Sequence, residues 1–235
     1  RLVGSEMCIR DRNEIIHEVL HKYWGYSQFR PMQEEIITSL LDGHDTLGLM
    51  PTGGGKSLTF QVPTLSREGI CLVITPLVAL MKDQVDNLRS RGIRAAYLHA
   101  GMTRREMIVT LDNCLYGRYK FLYISPERLD TELFIARIKG LPVSFIVVDE
   151  AHCISQWGYD FRPAYLKIAD IRYILPEVPI LALTATATPK VAEDIQRKLS
   201  FRNGQVFRTG FSRPNISYVV RQGEDKLQQL LRILN

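Results

Sequence analysis

A chain of 235 residues, 46% of them hydrophobic and 23% charged, is long enough for one large domain, or one domain with part of another, around a real core. A net charge of +5 is compatible with a polyanionic partner without requiring one. No apolar run approaches the ~20 residues of a membrane span, and no signal-peptide apolar region is present.

The opening RLVGSEMCIRDR (1–12) has no helical period. It resembles a translated adaptor sequence of the kind found at the ends of open reading frames, so residues 1–12 are expected to be non-native, with a disordered native tail as the alternative. Its Cys8 is the first of four widely spread cysteines, with Cys71, Cys114 and Cys153 and no C-x-x-C pair. That spacing argues against a zinc or disulfide framework and for a reduced, cytoplasmic chain. After a helical segment comes WGYSQFRPMQ (24–33), which on its residues alone reads as a helix N-terminus.

DTLGLM (45–50) reads as a buried strand, and PTGGGKSLTF follows it. A strand, a glycine-rich turn and Lys-Ser opening a helix make a phosphate-binding loop. Glycines let backbone N–H groups face a polyphosphate, and the helix N-terminus adds partial positive charge. Thr52, Gly53, Gly54, Gly55, Lys56 and Ser57 are the candidate nucleotide ligands. Lys56 would reach the β- and γ-phosphates, and the Ser57 hydroxyl would ligate Mg²⁺. The usual pattern starts with glycine where Met50 stands, so the match is partial. Chance production of GGGK before Ser or Thr is still rare, on the order of one in a thousand such chains.

ICLVIT (70–75), RAAYLH (94–99), KFLYIS (120–125), VSFIVVDE (143–150) and PILALTA (179–185) are further strand candidates. Between them lie the helical patterns LVALMKDQVDNLRSRG, TRREMIVTLDNCL and PERLDTELFIARIKG. Continuous apolar strands are buried on both faces, as a parallel sheet covered by helices requires. The alternation predicts a doubly wound α/β domain with a mainly parallel sheet and helices on both faces. Ligands of such sheets bind beyond the carboxyl ends of the strands.

At one such end VSFIVVDEAH delivers paired carboxylates, which are costly there unless they have partners. Asp149 is expected in the Mg²⁺ shell. Glu150, expected to point the other way along the strand, is placed to orient or deprotonate an attacking water. With GGGKS this makes the chain a nucleoside triphosphate hydrolase. His152 reads either as a relay sensing the γ-phosphate or as a satisfied loop residue, and Cys153 as a small buried hydrophobe. ISQWGYDFRPAY (154–165) then sets Trp157, Tyr159, Phe161 and Tyr165 among glycine, proline and charge. Trp157 and Phe161 offer faces on which bases stack without sequence preference, Arg162 can meet a phosphate, and Tyr165 is expected to pack in the core. Near residue 208 the pattern changes: GFSRPNISYVV reads as a turn and strand, and GEDKLQQLLRILN as an amphipathic helix. These expectations place a first domain at 13–208 and the truncated start of a second at 209–235.

MPTGGGKS, TPLVALMKDQV, SPERL, DEAHCISQWGYDFRP and ALTATAT, in this order, resemble the RecQ family of superfamily 2 DNA helicases, of bacterial type, from about Glu14 to the chain end. The resemblance implies a RecA-like P-loop fold in which ATP, with Mg²⁺, lies between two such domains. It implies an adenine-recognition motif at 24–33, with Tyr26 and Arg30 sandwiching the base and Gln33 bonding its edge. An aromatic face, a planar guanidinium and an amide suit adenine chemically. It implies that Thr75, Pro76, Ser125, Pro126, Thr184 and Thr186 contact the nucleic-acid backbone or couple it to the ATP site. It implies that Gln156, Trp157, Phe161 and Arg162 belong to an aromatic-rich loop coupling DNA to hydrolysis. Many members have His where Tyr159 stands.

The activity so implied is ATP-dependent 3′→5′ DNA unwinding, on single-stranded and forked DNA, in recombination and repair in the cytoplasm at the nucleoid. The later motifs, including an arginine reaching the γ-phosphate from the second domain, lie beyond this sequence, so these residues alone are expected to bind ATP weakly, hydrolyse it poorly and not unwind DNA. An RNA-dependent ATPase of the DEAD/DEAH kind is the alternative, which QWGYDFRP disfavours. A non-helicase P-loop protein has no reason to carry TPLVALMKDQV, SPERL and ALTATAT together.

Overall fold

The computed structural model describes the backbone of residues 3–208, with side chains from residue 12, together with Gln228 and Leu231. The expected turn and strand at 210–220 lies outside the described residues, as does the helix at 223–235 apart from those two.

In chain order the elements are α1 (Val3–Trp24), α2 (Gln33–Leu41), β1 (Thr46–Leu49), α3 (Leu58–Leu65), β2 (Ile70–Ile74), α4 (Val78–Ser90), β3 (Ala95–Leu98) and α5 (Arg104–Tyr116). There follow β4 (Phe121–Ile124), α6 (Glu132–Ile138), β5 (Val143–Val148), α7 (Ile168–Ile174), β6 (Ile180–Thr184), α8 (Pro189–Lys198) and β7 (Gln205–Arg208), with three short 3₁₀ turns among them. The seven strands form one sheet in the order β3-β4-β2-β5-β6-β1-β7, and every pairing is parallel.

The alternation within each strand explains why the sheet needs two covers, because successive side chains point to opposite faces. Leu72, Ile74, Leu122, Ile124, Ile146 and Val148 pack with α5, α6, α7 and α8 on one face. Cys71, Val73, Phe121, Tyr123, Phe145 and Val147 pack with α2, α3 and α4 on the other. Helix α1 lies outside that second layer, where Ile16 and Leu20 meet Ile37 of α2 and Val62 of α3. This is the doubly wound α/β arrangement that the sequence predicts.

The differences have local causes. The backbone is helical from Val3, although residues 3–12 carry no apolar period. The single helix expected over 126–140 is broken: a 3₁₀ turn at Pro126–Arg128 precedes α6. The Thr131 hydroxyl donates to Arg128 O at 2.8 Å, a side-chain bond that competes with the helical ladder. Strand β7 was not expected, because QVFR is short and mostly exposed; its backbone pairing with β1 holds it in the sheet.

Candidate functional site

The site lies at the carboxyl ends of β1, β5 and β6. Met50, where the usual phosphate-loop pattern has glycine, is 1% exposed and packs in the core. Its N–H continues the ladder by donating to Thr184 O at 3.1 Å. The position therefore closes the strand and does not face a phosphate. The chain then turns through 51–57 into α3. Gly55 has φ +77°, and a Cβ there would stand 2.4 Å from Gln33 Nε2, so both conformation and space require glycine.

That close neighbour ties the 24–33 segment to the loop. Gln33 Oε1 accepts the Arg30 N–H at 2.8 Å, and its Nε2 donates to Gly55 O at 3.0 Å and Gly54 O at 3.4 Å. The Arg30 guanidinium donates to Gly53 O at 2.7 Å. Gln33, expected to read an adenine edge, is 1% exposed and spends both ends of its amide within the chain, as a brace of the loop. Tyr26 is exposed, and with Arg30, Thr52, Lys56, Ser57, Asp149 and Glu150 it lines one cleft of about 640 Å³. Nothing in the sequence spacing brings residue 26 to residue 150; the fold does.

Strand β5 ends at Val148, and Asp149 N–H still donates to Ile74 O at 2.9 Å. Glu150 does not continue the strand as the sequence predicts. It takes a left-handed conformation, φ 48° and ψ 46°, unfavourable for a residue with a Cβ by about 1–2 kcal/mol. The turn swings its carboxylate back across the cleft, with Oε1 3.9 Å from Lys56 Nζ and Oε2 3.3 Å from His152 Nδ1. Strain of this kind persists where the surroundings over-determine it.

Burial pushes the Asp149 carboxyl up to about 6; the neighbouring charge of Glu150 adds to this and Lys56 opposes it. Asp149 and the Ser57 hydroxyl line the same cleft, and both are hard oxygen donors of the kind Mg²⁺ prefers. The donor set fits Mg²⁺ with a polyphosphate on the loop.

His152 is 4% exposed. Its Nδ1 faces Thr184 Oγ1 at 2.9 Å as well as Glu150. Burial lowers the imidazole pKa, against the opposing pull of the Glu150 and Asp160 carboxylates. Tyr159 stacks on it, with ring centroids 5.0 Å apart and planes 19° from parallel. The Tyr159 hydroxyl meets Thr186 Oγ1 at 3.2 Å, and Thr184 Oγ1 accepts the Thr186 N–H at 3.2 Å. The histidine thus joins the acidic pair, the β6 end and the aromatic segment. The hydrogen bond to Thr184 satisfies the buried ring, and the same contacts give the relay reading a connected path. Cys153 is buried, as expected, and burial holds its thiol up at about 12.

Of the residues expected on the nucleic-acid side, Gln156, Trp157 and Thr186 are exposed, and Pro76, Phe161 and Arg162 are half-buried. Thr75, Ser125, Pro126 and Thr184 are buried instead, and the hydroxyls of Thr75 and Ser125 have no hydrogen-bond partner. Contact of these four side chains with a nucleic-acid backbone at the surface, one of the two roles expected of them, is thus not what their burial offers. Arg162 donates to Asp160 at 3.1 Å. Tyr165 packs in the core as expected, fully buried, and also donates to Asp149 O at 2.9 Å. That contact braces the acidic turn across 16 residues and had no signal in the sequence, because a buried tyrosine's partner depends on the fold.

The DEAD/DEAH box helicase model matches residues 30–195, which hold both the phosphate loop and the acidic turn. The chain is 45% identical to the ATP-dependent DNA helicase RecQ of Pasteurella multocida over 92% of its own length and 34% of that protein. It is 46% identical to RecQ of Bacillus subtilis over 88% of its length and 36% of that protein. The chain therefore spans about a third of these curated relatives. Its fold is similar to the crystal structure of the DUF1998 helicase MrfA bound to DNA, with a TM-score of 0.64 at 16% identity, covering 83% of this chain and 29% of that one. On this family match the chain belongs to the DEAD/DEAH box helicases.

Proposed function

We propose that the chain is the ATP-binding part of a RecQ-like 3′→5′ DNA helicase, which spends ATP to move along single-stranded DNA and open forked duplexes in recombination and repair, in the cytoplasm at the nucleoid. The observation that carries the proposal is the single cleft holding Tyr26, Arg30, Lys56, Ser57, Asp149 and Glu150, with the aromatic segment connected to it through His152. The 45% identity to RecQ of Pasteurella multocida supports DNA over RNA as the track.

In this reading Tyr26 and Arg30 hold the adenine, and the amides of Gly53 and Gly55 hold phosphate oxygens, while the Gly54 N–H donates to Pro51 O at 2.9 Å and shapes the loop. Lys56 compensates charge on the phosphates. Mg²⁺, when bound at Ser57 and Asp149, supplies neutralisation of the phosphate oxygens. Glu150 accepts a proton from the attacking water, and its left-handed turn is what aims it. His152 passes the state of that carboxylate to Thr184, Thr186 and Tyr159. Trp157 and Phe161 stack bases, and Arg162 takes a phosphate.

The test is the ATPase rate of the full-length protein with single-stranded DNA, with RNA, and with neither. Acceleration by DNA is expected; acceleration by RNA but not DNA would overturn the proposal in favour of an RNA-dependent ATPase.

A further inference from the structure

Helix α8 carries Lys190, Asp194 and Lys198 at intervals of four residues, a spacing that stacks them along one helix face. That face lies against the aromatic segment. Lys190 Nζ sits 3.2 Å from the centroid of the Trp157 ring, and Lys198 Nζ 5.6 Å from that of Phe161. Between them Asp194 accepts the Ser155 hydroxyl at 2.7 Å, and Lys198 also donates to Ile154 O at 2.9 Å. Val191, Ala192 and Ile195 fix α8 to the core, so the helix is a stationary bar to which the segment is fastened.

The two ends of the fastening differ. At the Ser155 end the contacts are enclosed: Asp194 is 4% exposed and Ser155 fully buried. At the Trp157 end the indole is 63% exposed, and an exposed lysine covers its face. A cation–π contact in water is weak beside the stack of a base on an indole. An ammonium is also a point charge that a phosphate attracts strongly.

We propose that Lys190 is a displaceable cap on Trp157 and a phosphate ligand for single-stranded DNA. A base takes the ammonium's place on the indole, and the ammonium moves to the phosphate beside it. The inference rests on the DNA-motor reading and adds one residue, outside the expected motifs, that exchanges partners when DNA arrives.

Binding of a fluorescent oligothymidine to the whole protein, followed by anisotropy across a series of salt concentrations, tests it. Loss of one phosphate contact to a single strand reduces the slope of log K against log salt by ~0.7, and Lys190→Met is expected to show that reduction. Lys190→Arg is expected to restore the slope, and Lys198→Met, whose ammonium is committed to Ile154 and Asp194, to leave it unchanged. An unaltered slope in Lys190→Met overturns the proposal, as does an equal loss in Lys198→Met. Failure of the unsubstituted protein to bind oligothymidine at all removes the DNA-motor reading and this inference with it.

Discussion

Asp149 bears the strongest electrostatic tension in the cleft. Its carboxyl is raised to about 6 by burial and by Glu150, so the folded chain holds a proton there more tightly than the unfolded chain, whose carboxyl titrates near the ordinary value. Without nucleotide and Mg²⁺, the charged form therefore costs stability in full above pH ~6, and the cost fades as pH falls towards ~4. Because the carboxyl opens onto the cleft, solvent screens part of the cost, leaving about 1 kcal/mol. Asp149→Asn is accordingly expected to raise the melting temperature of the ligand-free protein by roughly 2–4 °C at pH 8 and to lose that advantage near pH 4. Thermal unfolding at the two pH values checks it, and a lower melting temperature at pH 8 would contradict it. Gly55 makes the opposite point, since a single methyl there meets Gln33 Nε2 at 2.4 Å on a left-handed backbone. Gly55→Ala is expected to weaken binding of a fluorescent ATP analogue at least tenfold while the far-ultraviolet circular dichroism stays native.

Among the elements, the aromatic segment has the most to test. Its Gly158 has no room for a side chain, because a Cβ would stand 2.7 Å from His152 O; this packing holds the segment against the DEAH histidine. Trp157→Ala is expected to reduce stimulation of ATP hydrolysis by single-stranded DNA far more than hydrolysis without DNA, as read from initial rates of the full-length protein. Stimulation that survives removal of both Trp157 and Phe161 would refute the coupling. The strands from β1 to β6 and the phosphate loop were legible in the sequence, because buried parallel strands are continuous apolar runs and a glycine-rich turn before Lys-Ser has few other uses. What stayed hidden depends on contacts between distant residues. The left-handed turn at Glu150, the Tyr165 bond to Asp149 O, the closure of Gln33 onto Gly55, and β7 all owe their form to neighbours supplied by the fold. Burial of Thr75, Ser125 and Thr184 was hidden for the same reason, since small hydroxyls at strand ends look alike whether a helix covers them or not.

For the molecule as a whole, one buried ion pair ties the amino end of the sheet together. Asp45 and Arg172 are 1% and 5% exposed and bonded to each other. Asp45 also accepts the N–H of Ile180 at 2.8 Å and of Arg202 at 2.6 Å, and so joins the entries to β1, β6 and β7. Asp45→Ala strands a buried guanidinium and is expected to cost about 3–5 kcal/mol, measured as a shift of the urea midpoint; a loss under 1 kcal/mol would show that the pair is dispensable. The strand order carries a further consequence, for synthesis. β2, β3, β4 and β5 pair among themselves within residues 70–148, whereas among the described residues β1 at 46–49 pairs with β6 and β7, at 180–184 and 205–208. On a growing chain half the sheet can assemble while β1 still waits for these described partners, made more than 130 residues later, and such long-range pairing is slow. The phosphate loop on β1 is therefore set late among these elements, because the strand that carries it gains its neighbours only once β6 and β7 have been made.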